Sequence, residues 1–278
     1  MKQNLDEVKY MELTMLGTGN AMVTECYNTC FVLSENKECF LVDAGGGNTI
    51  LHQLKHAGID WMKIKNIFVT HKHVDHIMGV VWMIRKITTA MHKGVYEGEV
   101  NIYAHDEVIK ILQTMCEMLL QKKETAWIGK GVHFVEVKDG EKRNVMGHDI
   151  QFFDIHSTKA KQFGFTMWYD NKKLTCCGDE PYNEYEKTYV ENSTWLLHEA
   201  FCLYRDREQF QPYEKHHSTV KDACELAQAL HVKKSCALSY RRSKYQRKKS
   251  IIHQRRQRIL PWQSVCARRF RMYQVIGQ

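Results

Sequence analysis

The chain has 278 residues, 44% of them apolar and 11% aromatic, enough for one large packed domain and incompatible with global disorder. No apolar run approaches the ~20 residues of a membrane span, and residues 1–16 lack the basic start and small-residue cleavage site of an export signal. Ten cysteines are too sparse for a disulfide framework, so a cytoplasmic protein with reduced thiols is expected. The net charge of +8 is local: Lys233–Gln278 holds 14 Lys and Arg without Asp or Glu, and the rest holds 26 basic against 32 acidic residues, a net charge of −6.

Apolar runs of strand length alternate with turn signals along the body. Met11–Leu16 ends at Gly17-Thr18-Gly19-Asn20, and Cys30–Leu33 with Cys39–Val42 reads as a hairpin across Ser34-Glu35-Asn36-Lys37. Asp43 runs into Gly45-Gly46-Gly47, then Thr49–Ala57 carries helical spacing up to Gly58. Ile67–Val69 is a short buried strand, followed by helices over Met78–Met91 and Val108–Leu120. Val132–Val137, Ile150–Ile155, Gly164–Tyr169 and Lys173–Cys176 read as strands. Cys176 and Cys177 face opposite sides and are read as packing residues. Ser218–Leu230 reads as a helix capped by Ser218. Strands in both halves with helices between them predict an α/β protein, two sheets covered by helices.

The sharpest chemical signal is Thr70-His71-Lys72-His73-Val74-Asp75-His76, directly after Ile67–Val69. Divalent metals take neutral imidazole nitrogen and carboxylate oxygen from a rigid frame. Residues i and i+2 at a strand end can face one side, and a turn into a helix returns Asp75 and His76 toward them. A histidine-rich surface turn is the plain alternative, but three His and one Asp within six residues after a buried strand favour a metal loop. Further ligands are expected at strand ends. The candidates are His156, Asp179, His198-Glu199 and His217, each weak alone because an isolated His is more often structural.

With these pieces the chain resembles the metallo-β-lactamase superfamily and, within it, the ribonuclease Z family of tRNA 3′-processing endonucleases. The matching residues are Leu16-Gly17-Thr18-Gly19, Leu41-Val42-Asp43-Ala44-Gly45, the 70–76 loop with Gly79, His156 with Phe163-Gly164-Phe165, Gly178-Asp179, His198-Glu199-Ala200 and His217-Ser218-Thr219. The resemblance covers residues 11–234 and implies an αββα metallo-β-lactamase sandwich of two mixed sheets, with 1–234 as the hydrolase domain. It implies two divalent cations, zinc with manganese as the alternative. His71, His73 and His156 would hold the first, Asp75 and His76 the second, and Asp179 would bridge them. The implied reaction is phosphodiester hydrolysis by a metal-bridged hydroxide. Asp75 would serve as ligand and general base, and His217, favoured over His216, as general acid. His198 and Glu199 would support them.

Two departures qualify this picture. Only 22 residues separate His156 from Asp179, leaving no room for the tRNA-gripping arm. RNA therefore competes as substrate with a small phosphodiester, such as a cyclic nucleotide, or an ester metabolite. The family's last His should follow a strand after the helix that starts at His217-Ser218, yet Ser235–Arg242 contains none. A weak second metal site and impaired activity are expected, and a metal-deficient, non-catalytic nucleic-acid-binding protein is a further reading. Contact with a membrane is not expected, and a homodimer is left open. Residues 235–278 form a basic tail. Codons for Ser239–Ser243 can be chosen that spell His-Thr-Glu-Asp one base on, and codons for Ile276-Gly277 can be chosen that contain a stop in the same frame. A frameshift near residues 234–238 would thus account for both the basic tail and the missing His; a genuine RNA-holding arm is the alternative.

Overall fold

In a strand, successive side chains point to opposite faces, and here both faces are apolar. Along Cys30–Glu35 (β2), Cys30 and Val32 face one apolar layer while Phe31 and Leu33 face another. Glu38–Val42 (β3) repeats the alternation, as the expected hairpin requires, with Asn36 at φ 55° in the turn. The computed structural model describes residues 11–241 and the backbone pairing of two short strands at 264–266 and 272–274.

The first half begins with Glu12–Gly17 (β1), then β2 and β3, Thr49–His56 (α1), Ile64–Phe68 (β4) and Val74–His92 (α2). Val100–Ala104 (β5), Asp106–Leu119 (α3), Lys122–Thr125 (α4) and Val132–Glu136 (β6) complete it. The second half holds Lys142–Val145 (β7), His148–Asp154 (β8), Phe163–Tyr169 (β9), Lys172–Cys176 (β10), Lys187–Val190 (α5) and Trp195–Glu199 (β11). It ends with Arg207–Phe210 (α6), Val220–Ala229 (α7), Lys234–Leu238 (β12), Ser264–Cys266 (β13) and Met272–Gln274 (β14). Two seven-stranded mixed sheets result, ordered β14-β1-β2-β3-β4-β5-β6 and β13-β12-β11-β10-β9-β8-β7. In the first, β3 through β6 run parallel; in the second, β10 through β13 do.

Phe68 joins the two sheets, its ring 5.0 Å from Phe152 and 5.6 Å from Phe165. Their inner faces form one core layer. The outer face of the first sheet packs against α1, α2 and α3, and Leu196 and Phe153 of the second pack with Ala227 and Leu230. This is the expected αββα order. Cys176 lies in the inner layer and Cys177 in the outer, as the strand geometry required. No helix among the described residues is long and apolar enough to cross a membrane.

Some expectations shift. Helix α2 starts at Val74, four residues before the expected Met78, so Asp75 and His76 sit in its first turn rather than in a loop. The glycine at position 79 permits this: a Cβ there would lie 1.8 Å from the Ala44 carbonyl oxygen, so the helix rests directly on the turn after β3. The cap of α7 is Thr219, in a reciprocal capping box with Asp222; the Ser218 hydroxyl instead donates to the Glu199 carbonyl at 3.3 Å. Strands β5 and β7 were not expected. Strand β12 starts at the 234 boundary drawn from the sequence, runs four residues past it and pairs in parallel with β11. The remainder of the basic tail, including His253, lies outside the described residues apart from the backbone of β13 and β14.

Candidate metal centre

Strands β3 and β4 run parallel, so the segments leaving their C-terminal ends meet. Asp43, held at φ 53°, follows β3; Thr70 and His71 lie just beyond β4. The Asp43 carboxylate accepts the Thr70 backbone N–H at 2.9 Å, the Thr70 hydroxyl at 2.8 Å and Nδ1 of His76 at 2.7 Å. Having given its proton to Asp43, the Thr70 hydroxyl accepts from Nδ1 of His71 at 2.9 Å. One carboxylate thus turns Nε2 of both His71 and His76 away from the protein frame. His73 reaches the same place, its Nδ1 2.8 Å from Nε2 of His71.

The other sheet supplies Asp179. It follows Gly178, at φ 71°, just after β10, and its backbone N–H donates to the buried Oε1 of Gln162 at 2.6 Å. Asp179 Oδ2 lies 3.7 Å and Asp75 Oδ2 3.6 Å from Nε2 of His76, both beyond hydrogen-bond range. Among the described residues, donor atoms of His71, His76 and Asp179 lie within 4.8 Å of one another.

Burial works against charge on His76, but Asp43 and Asp179 outweigh it and hold its pKa well above the imidazole norm. Burial, reinforced by His76, pushes His71 and His73 down. Burial alone would raise Asp179, yet His76 and His71 hold it below the usual carboxylate range. The two carboxylates thus favour positive charge at this point, where a divalent cation would put its own. His76 Nε2 and Asp179 Oδ1 are buried without a hydrogen-bond partner. Two imidazoles and a carboxylate with orphaned atoms turned inward fit a divalent metal, with His73 and Asp75 alongside.

His156 is placed differently from the expectation. It is exposed, at φ 52°, with its ring 4.3 Å from that of Tyr185 and its N–H tied to Asp154 at 2.7 Å, and it is not in the donor group. The left-handed backbone at the strand end and the tyrosine face account for that direction. His198 is buried with both ring nitrogens taken by backbone, Tyr182 N–H at 3.0 Å and Glu199 O at 2.6 Å. That suits a supporting role. Glu199 is fully buried; one oxygen accepts the Ser218 N–H at 2.6 Å and the other lies 3.3 Å from Nδ1 of His217. The His217 ring stacks on Phe201 at 4.7 Å.

Three residues without an assigned role in the sequence prove central. Asp43 organises the histidines; it stands between the apolar run Cys39–Val42 and Gly45-Gly46-Gly47, where a turn was to be expected. Gln162 holds the Asp179 backbone. Ser239, buried and at φ 52° just after β12, hydrogen-bonds Thr29 and adds to the low pKa of Asp179. It occupies the segment where the last His was sought.

A family profile described as Anti-Pycsar protein Apyc1 matches residues 11–258. Ribonuclease Z of Thermococcus sibiricus is 25% identical over 283 residues, covering 84% of this chain and 87% of that protein. Ribonuclease Z of Methanothermobacter thermautotrophicus is 42% identical over 78 residues, 25% of its length. The first archaeal relatives are thus matched over only a quarter to a third of their length. Human tRNase Z, short form, superposes with TM-score 0.73 at 17% identity over 96% of this chain and 100% of that one. The Bacillus subtilis metallo-β-lactamase fold protein YhfI gives 0.72 at 15% over 96% and 99%. The fold is that of the metallo-β-lactamase proteins.

Proposed function

Because the chain belongs to the Anti-Pycsar protein Apyc1 family, we propose that it is a metal-dependent phosphodiesterase acting on a small phosphodiester. The observation that carries this reading is the His71–His76–Asp179 donor group combined with the buried Glu199, which lies 3.3 Å from Nδ1 of the partly exposed His217. Divalent cations bound at the donor group supply Lewis acidity toward water and the phosphoryl oxygens. The residues that would hold them are His71, His73, His76, Asp75 and Asp179. Asp43 fixes the ring faces of His71 and His76. Asp75, at the start of α2, is the base for the attacking water. His217, pinned between Phe201 and Glu199, protonates the leaving oxygen, and Glu199 holds the imidazole in register.

A small substrate is favoured over tRNA by the short connection 155–162 between β8 and β9 and by the acidic body, which offers a long polyanion little grip. Relatedness to Thermococcus sibiricus ribonuclease Z across most of both chains supports the second reading, cleavage of precursor tRNA. Bis(p-nitrophenyl) phosphate cleavage with zinc or manganese tests the class. Competition by 3′,5′-cyclic nucleotides against precursor tRNA then separates the two substrates. A protein that binds metal and cleaves none of them would end the proposal.

A further inference from the structure

Between β8 and β9 the chain is short, but it is not slack. Ser157 Oγ accepts the N–H groups of Lys159 and Ala160 at 3.2 and 3.3 Å. The Thr158 N–H donates to Oε2 of Glu180, next to Asp179, at 3.1 Å. At the other end Lys161 donates to Asp106, at the start of α3, at 2.6 Å. The exposed residue held between these ties is Lys159. Its ammonium donates to the His216 carbonyl at 3.1 Å and lies 3.3 Å from Nε2 of His217. An ammonium can only donate, so Nε2 of His217 is the acceptor and its proton sits on Nδ1, facing Glu199. In that arrangement His217 has no proton to give on the side of the substrate.

We propose that Lys159 is a substrate-anchoring residue that leaves His217 to bind an anionic phosphoryl oxygen at the metal centre. A compact ammonium with a spare N–H on a flexible stem suits a non-bridging phosphoryl oxygen. Anion capture withdraws Lys159 from Nε2, which then takes up a solvent proton; the imidazolium facing Glu199 gives that proton to the leaving oxygen and returns to its Nδ1–H form. The substrate class is accordingly an anionic phosphodiester, and a neutral carboxylic ester gains nothing from this residue.

The inference rests on the proposed phosphodiesterase reading, and the test separates the two. The zinc-loaded wild type, Lys159→Met and Lys159→Arg are compared by calorimetric titration with inorganic phosphate and by kinetics on bis(p-nitrophenyl) phosphate and p-nitrophenyl acetate. Lys159→Met should weaken phosphate binding and raise KM for the diester by about tenfold each, the order expected for one charge-assisted contact. Lys159→Arg should recover most of the loss, and hydrolysis of the acetate should not change. Phosphate binding without diester cleavage, weakened in Lys159→Met, would sink the phosphodiesterase reading and sustain this one. Unchanged phosphate affinity in Lys159→Met, or no phosphate binding by the wild type, overturns it.

Discussion

Asp43 and His76 stand 33 positions apart in the chain and meet at 2.7 Å, carboxylate oxygen to Nδ1, with both side chains buried. That contact decides which nitrogen of His76 faces the donor group. The Asp43→Ala variant should bind zinc about 10–100-fold more weakly, the usual cost of losing a carboxylate behind a ligating imidazole. Competition against a chromogenic chelator measures it. Affinity equal to wild type would mean that His76 is oriented by packing alone.

Glu199 and His217 should act in turnover rather than in binding. For His217→Ala, kcat on bis(p-nitrophenyl) phosphate should fall about 10²–10⁴-fold, the range of general acid catalysis, with metal content unchanged. Glu199→Gln should lose less and shift the pH profile, because the amide still fills the pocket. A His217→Ala variant with full kcat removes the residue from the reaction.

Glu186 offers a test by pH. Burial drives its carboxyl up to about 8, and Glu180 adds to the effect while the neighbouring Cys177 thiol and Asn183 backbone oppose it. Between the ordinary 4.5 and about 8 the folded chain keeps a proton that the unfolded chain releases. Stability should therefore be highest at the acid end of that window, fall as pH rises through it, and level off above it. Glu186→Gln should flatten this trend. Urea titrations at several pH values decide, and parallel curves for the two proteins would contradict the assignment.

Ser239 sits at the end of β12 against Thr29 and beside Asp179. An imidazole at this strand end has a left-handed backbone that His tolerates better than most residues. We expect Ser239→His to raise the zinc bound per chain after dialysis above that of both the wild type and Ser239→Ala. Equal zinc in all three proteins would show that this strand end cannot contribute a ligand. Sequencing the encoding DNA across Ser239–Arg241 addresses the frameshift proposal directly.

The layers and the loop at 70–76 were legible because two-residue periodicity and clustered histidines are local signals. The expectation for Ile67–Val69 located β4, and the loop does open onto the donor group. What failed was long-range or conformational. His156 looks like any strand-end ligand until its positive φ and the ring of Tyr185 are seen. Ser218 looks like a cap until its hydroxyl is seen to donate to the Glu199 carbonyl. The role of Asp43 depends on partners 27 and 33 positions away, which no periodicity encodes.

The parallel strands β3 and β4 in one sheet, and β10 and β12 in the other, deliver their polar residues on leaving the sheet, and β11 delivers His198 and Glu199 at its last two positions. The scaffold and the chemistry are consequently separable. Grafting a different β8–β9 connection would exchange what the rim admits without disturbing the phenylalanine layer beneath it. Selectivity in this fold can drift while the framework stays fixed.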